Sequence, residues 1–275
     1  MKVEARRILE KCNEESDFSR LSISEKEILL SQINGKRLKT QNTFLGSTKA
    51  VKYKIFDLPK KLTCPGRTAI CEANCYQDAC EKMLKKENED SAILCARKLN
   101  WFYSLQDDFE KKMVHELKSL CPKKNQEIRV RIHASGDFYS NDYMKKWFVI
   151  CLVMKQLGKK YKFVAYTKSY AFLDKLLSNQ YELNEIVKKA CDLSGTVYQT
   201  VNNLVLKDFN IHIIASVMDD TSEQDKEIIK KYNLPQYIVT KEKRAGLKEC
   251  EKVICAKCSK CYNFPMENIV TKLRL

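Results

Sequence analysis

Glycine (7) and proline (5) are scarce in this chain of 275 residues. With so few breakers there is no flexible linker to license a firm domain cut, and no internal repeat or low-complexity tract is visible. No run of about 18 apolar residues occurs, which excludes a membrane-spanning helix, and the N-terminus MKVEARRILEKC lacks the apolar centre of a signal peptide. The expectation is a soluble protein of the cytoplasm with no membrane partner. A Walker phosphate loop, a dinucleotide fingerprint and an HExxH zinc motif are also missing, so those enzyme classes are set aside.

Cysteine, by contrast, is abundant, with 13 residues. An odd number without an export signal argues against a disulfide scaffold, so the clustered thiols point to metal or redox chemistry. The isolated ones, Cys12, Cys95, Cys121, Cys151 and Cys191, read as structural. The net charge of +15 comes from 40 Lys and 10 Arg against 35 acidic residues. A field of that sign attracts nucleic acid or an acidic partner. The lysines nevertheless come as scattered pairs such as Lys123-Lys124 and Lys230-Lys231, a pattern also met on ordinary solvated surfaces.

Periodicity gives an α/β fold. Residues 1–42 read as an N-terminal segment of two short amphipathic helices, the second opened by a capping box of Ser24 and Glu27. Val51–Leu58 reads as an edge strand and residues 81–120 as one or two long helices ended by Pro122. Strands are expected at Ile128–His133, Tyr161–Thr167, Gly195–Val201, Phe209–Val217 and Gln236–Thr240, with helices over Asn141–Leu157, 170–190 and Ser222–Tyr232. Alternating strands and helices imply parallel βα units, and too few strands for a complete barrel. The expected architecture is a partial or irregular (β/α) barrel over 43–240, preceded by the N-terminal helices of 1–42 and followed by a cysteine-rich metal-binding segment over 241–275.

The densest chemistry is TCPGRTAICEANCYQDAC, Thr63 to Cys80. Six residues separate Cys64 from Cys71, three separate Cys71 from Cys75, and four separate Cys75 from Cys80. On a helix Cys71 and Cys75 would share a face. Three thiolates converging there would suit zinc or an iron–sulfur cluster better than a hard cation. Buried free cysteines are the plainer alternative. A second group, Cys250, Cys255, Cys258 and Cys261, contains the Cys-x2-Cys-x2-Cys opening of a ferredoxin-type run without its closing Cys-Pro, so a cluster and a four-cysteine zinc site both remain open.

Functional residues of parallel sheets gather at the strands' carboxyl ends. Three ends here are small and polar: Ser135-Gly136-Asp137, Thr167-Lys168-Ser169, and Ser216 with Asp219 and Asp220. Gly136 would let a ligand approach the backbone, Asp137 could accept from an ammonium group, and Ser216 could bond a sugar hydroxyl. His133, just before the Ser-Gly-Asp turn, is expected to face the same cavity and joins Asp137 and Lys168 as a catalytic candidate. The competing reading of Ser and Asp here is helix capping.

Together TCPGRTAICEANCY, RIHASGDFYSNDYMKKW, KFVAYTKS, IIASVMDD and CAKCSKCY resemble the phage-encoded gene-product-88 domain family, from about Leu45 to Tyr262. The same organisation is similar, more distantly, to radical S-adenosylmethionine (SAM) proteins. That resemblance implies a [4Fe-4S] cluster on Cys64, Cys71 and Cys75 with one iron open to SAM, the SAM amino group at Gly136 and Asp137, the ribose at Ser216, and an external electron donor. The common spacing of such proteins is Cys-x3-Cys-x2-Cys, whereas this chain has x6 and x3 and has Asp in place of Glu in the turn. Were Cys80 a fourth ligand, the open iron position would vanish. The expectation is therefore a radical SAM-like enzyme acting on an unidentified substrate, with nucleic acid or a nucleotide as candidates. The alternative is a non-catalytic, metal-stabilised (Zn or Fe-S) nucleic-acid-binding protein.

Overall fold

Alternation of apolar side chains decides which way each strand faces. In the computed structural model, which describes residues 1–33, 37–38, 48, 50–78, 92–120, 126–158, 160–240, 248–250, 258, 260–262 and 268–272, the strands are β1 (Val51–Phe56), β2 (Glu127–Ile132), β3 (Tyr161–Thr167), β4 (Ile211–Met218), β5 (Gln236–Thr240), β6 (Lys248–Glu249) and β7 (Ile269–Lys272). They form one sheet in the order β1-β2-β3-β4-β5-β7-β6, and every pairing is parallel. The α/β class and the parallel strands stand as read from the sequence. The sheet is open: among the described residues β1 pairs only with β2 and β6 only with β7, so no barrel closes.

Parallel neighbours need crossovers, and helices supply them. The helices are α1 (Val3–Lys11), α2 (Glu15–Ser19), α3 (Ile23–Ser31), α4 (Ala69–Ala73), α5 (Ala92–Leu105), α6 (Phe109–Ser119), α7 (Asn141–Gln156), α8 (Tyr170–Leu177), α9 (Gln180–Ser194) and α10 (Glu223–Lys231). Ile128, Val130, Ile132, Phe163, Ala165, Ile211, Ile213 and Ala215 point to the core shared with these helices. At its centre Trp147 of α7 meets Phe56 and Phe109 edge-on at 5.4 and 5.9 Å. Burying a large apolar side chain so completely contributes roughly 1.5–3 kcal/mol.

The alternate residues face the other way. Val51, Tyr53, Ile55, Val164 and Ile214 form a second, smaller core with Ala134 and Tyr262. Tyr262 belongs to the cysteine-rich C-terminal segment; its ring meets Tyr53 at 5.4 Å and lies 5.3 Å beneath the Arg129 guanidinium. Both faces of the central strands are thus buried, as an all-parallel sheet requires.

Three expectations need correction. The described residues among the first 42 hold three helices, and the capping box that opens the third is Ser22 with Glu25, not Ser24 with Glu27. Residues 195–201 form no strand: Asn184 of α9 donates to Val201 O and accepts from Val201 N–H, both at 3.0 Å, so a side chain takes the place of a neighbouring strand. Among the described residues no helix is long and apolar enough to cross a membrane.

The cap makes a simple test. Ser22→Ala is expected to lower stability by about 1 kcal/mol in urea unfolding, and Ser24→Ala by much less.

Candidate metal and cofactor site at the carboxyl edge

The loop carrying Cys64, Cys71 and Cys75 lies across the carboxyl ends of β1 to β4, held at four places. Thr63 is buried; its hydroxyl donates to Pro59 O at 2.7 Å and its carbonyl accepts from Asp137 N–H at 2.9 Å. Gly66 sits so close to the end of β3 that a Cβ there would stand 2.1 Å from Lys168 O. Past β4, Asp220 accepts from Ile70 N–H at 2.7 Å. On the far side the Tyr76 hydroxyl and Gln77 Nε2 both donate to Ala134 O, the latter at 3.0 Å, and Arg97 of α5 donates to Gln77 Oε1 at 2.6 Å.

Within the loop, α4 is capped by the Thr68 hydroxyl, which accepts from Cys71 N–H at 3.2 Å. The helix ends at Ala73, because Asn74 leaves helical geometry at φ −119° and ψ 29°. Cys75 therefore falls beyond it, and the helical face expected to join Cys71 and Cys75 does not form.

All three thiols are free and partly exposed. Burial, chiefly, together with Asp137 and the neighbouring Cys71 and Cys75, pushes the Cys64 thiol up to about 12. Cys75 is raised by burial and by Asp78 and Cys71. At the C-terminal group burial raises Cys261, reinforced by Cys250 and Cys258, while a hydrogen bond from Tyr166 opposes the shift. Cys80 and Cys255 lie outside the described residues. Among the described residues no three His, Cys, Asp or Glu side chains stand close enough to hold a metal ion. The donor chemistry nonetheless fits one: Cys71 and Cys75 help to raise Cys64, and Cys250 and Cys258 help to raise Cys261, a repulsion that a soft cation would relieve.

The other predicted residues divide. Asp137, Lys168 and Ser216 come together. The buried Asp137 carboxylate accepts at Oδ1 from the Thr167 hydroxyl (2.7 Å) and Phe138 N–H (2.7 Å), and at Oδ2 from Lys168 N–H (2.8 Å). Burial raises its pKa against the lowering effect of these donors. Lys168 Nζ donates to Ser216 Oγ at 2.7 Å. Gly136, at φ +80°, is needed for packing: a Cβ would meet Leu58 Cβ and Thr63 Oγ1 at 2.6 Å. His133 does not face this group. At φ +66° its ring turns to the helical core, with Nε2 2.9 Å from the Tyr143 hydroxyl and Phe138 edge-on at 4.9 Å. Burial holds it neutral, with a pKa of about 3.

Sequence reasoning missed Asp57, Gln77, Arg97 and Arg131. Asp57 directly follows β1, and its Oδ1 accepts from Ala134 and Ser135 N–H at 2.8 and 3.0 Å, with Arg97 3.8 Å from Oδ2. Its signal was a carboxylate closing the apolar run VKYKIFDL. Arg97 lies in a run that reads as an ordinary amphipathic helix and carries no such mark.

Two outcomes test this geometry. Gly136→Ala combines a left-handed backbone with a collision against the loop, so it is expected to cost on the order of 1–3 kcal/mol or more in denaturant unfolding. His133 is depressed in the folded chain, so the unfolded state takes up its proton first. Its contribution is complete above about pH 6.5 and is lost as the pH falls toward 3. Urea titrations at intervals from pH 7 to 4 should show that loss, and His133→Asn, which tolerates the positive φ, should flatten it.

Comparison with curated proteins and with solved structures finds no match. A family model does match: that of Gene product 88, over residues 28–264, a span that takes in the cysteine loop, strands β1 to β6 and the C-terminal cysteines. The chain belongs to this phage family.

Proposed function

We propose that this protein is an iron–sulfur enzyme of radical SAM type, with Cys64, Cys71 and Cys75 holding a [4Fe-4S] cluster at the mouth of a partial (β/α) barrel. The observation carrying the reading is the seat of the cysteine loop across four consecutive parallel strand ends, fixed by the contacts at Gly66 and at Thr63 with Gly136. A site built there has its ligands on one short loop and its polar groups on rigid strands. When bound, such a cluster supplies an electron and an open iron for the methionine portion of SAM.

The chain's own residues have distinct tasks. Asp137 keeps acceptor capacity on Oδ2 for an ammonium group while tying β2 to β3. Ser216 offers a hydroxyl to a ribose and Lys168 orients that hydroxyl. Arg97 and Gln77 act as positioning residues, since they fix the chain immediately after Cys75. Cys250, Cys255, Cys258 and Cys261 would hold a second cluster or zinc against the sheet's other face, where Tyr262 already packs. An external reductant is the implied partner.

The test is anaerobic purification with iron, sulfide and zinc analysis, followed by reduction in the presence of SAM. About four irons and four sulfides at the first site are expected, with release of methionine and 5′-deoxyadenosine. Cys64→Ala should abolish both iron at that site and cleavage, whereas Cys80→Ala should spare them. Zinc at both cysteine groups without SAM cleavage would sink the enzyme and leave a metal-stabilised nucleic-acid-binding protein, the reading that the charge of +15 favours.

A further inference from the structure

Three arginines are buried or partly buried around the sheet, and their partners differ. Arg97 faces Asp57 at 3.8 Å, and Arg129 is bound to Glu127 at 2.5 Å. Arg131, on the same strand and face as Arg129, is only partly exposed. Among the described residues it has no carboxylate at ion-pair distance. Its Nε donates to His133 O at 3.3 Å, and its guanidinium lies on the Tyr166 ring at 4.7 Å from the centroid. The terminal nitrogens have no hydrogen-bond partner among the described residues. Asp57 is near enough to act on Arg131 electrostatically, but its carboxylate is taken by Ala134, Ser135 and Arg97.

A cation in this position favours an anion, and a guanidinium fork suits one with paired oxygens. Aromatic rings stand beside it. Tyr76 keeps 56% of its surface exposed although its hydroxyl is anchored on Ala134 O, so the ring is fixed and open to solvent. Tyr166 continues the wall to Tyr237, edge-on at 5.4 Å. Lys168, one residue past β3, reaches Ser216 Oγ on β4 at 2.7 Å, and Ser216 lies two positions from Ile214 of the second core, so a second cation comes to the same side.

We infer that Arg131, Tyr76 and Tyr166 form a nucleotide subsite on the sheet's inner face, the one opposite the helical core, with the phosphate on the Arg131 fork and the base stacked on an open tyrosine ring. A bare carboxylate would use the fork but leave the rings idle, whereas a phosphate carried on a nucleoside uses both. The assignment gives a substrate class to the function proposed above and rests on that reading for the reaction. The binding itself rests on the inner face alone.

Calorimetric titration of the full chain, without SAM or reductant, tests binding apart from catalysis. The probes are adenosine and cytidine 5′-monophosphates, inorganic phosphate, adenosine and alanine. Both nucleotides should bind more tightly than phosphate, and Arg131→Gln should weaken them at least tenfold, with Lys175→Gln, at an exposed side chain of α8, as a neutral control. Tyr76→Leu, at an exposed ring, should weaken the nucleotides while leaving phosphate unchanged, and it serves if Arg131→Gln does not fold. Nucleotide binding that is absent, or equal in these variants and the parent, overturns the subsite. Alanine bound as tightly as the nucleotides and lost in Arg131→Gln would overturn the nucleotide class. A negative titration beside intact SAM cleavage would leave the enzyme reading standing, and the reverse result would leave the subsite.

Discussion

The carboxylate of Asp137 is the constraint on which the carboxyl edge depends. It is buried, and a buried carboxylate is costly unless donors surround it. Thr167, Phe138 and Lys168 supply them, so one side chain joins the turn after β2 to the end of β3. Its own N–H donates to Thr63 O, which adds the cysteine loop to the same knot. Asp57 repeats the device one strand away, gathering Ala134 and Ser135 N–H with Arg97 close by. Two buried acids therefore hold the cysteine loop, whose helix α4 has no buried residue of its own.

The two faces of the sheet have different chemistry because of the same alternation. On β2, Ile128, Val130 and Ile132 enter the helical core, while Arg129 and Arg131 enter the opposite side. There the rings of Tyr262 and Tyr166 lie under the Arg129 and Arg131 guanidinium groups, with Tyr53 edge-on to Tyr262. Such pairs are favourable when desolvated. The aromatic, basic side is the one against which Cys261 packs, beside Tyr166.

Much of the frame was readable from residue order. Strands such as YKFVAYT and FNIHIIASV are apolar enough on both faces to announce a buried parallel sheet, and those segments are β3 and most of β4. Local ambiguity defeated finer points. Ser22-x-x-Glu25 and Ser24-x-x-Glu27 both satisfy the capping pattern, and only packing selects the first. The direction of His133 was hidden because a left-handed backbone at that residue reverses the side that alternation assigns. Arg97 was hidden for a different reason: its role exists only once α5 is laid beside the Asp57 turn, a relation between residues 40 apart in sequence.

The place of β7 between β5 and β6 shapes how the chain reaches its final form. Synthesis delivers β5 and then β6, yet neither pairs with the other; both wait for Ile269–Lys272, which follows them in the chain. Until that ribbon slots in, the backbone of β5 presents an open row of donors and acceptors. The β5-β7-β6 end of the sheet is thus assembled after the elements that seat the first cysteine loop have left the ribosome.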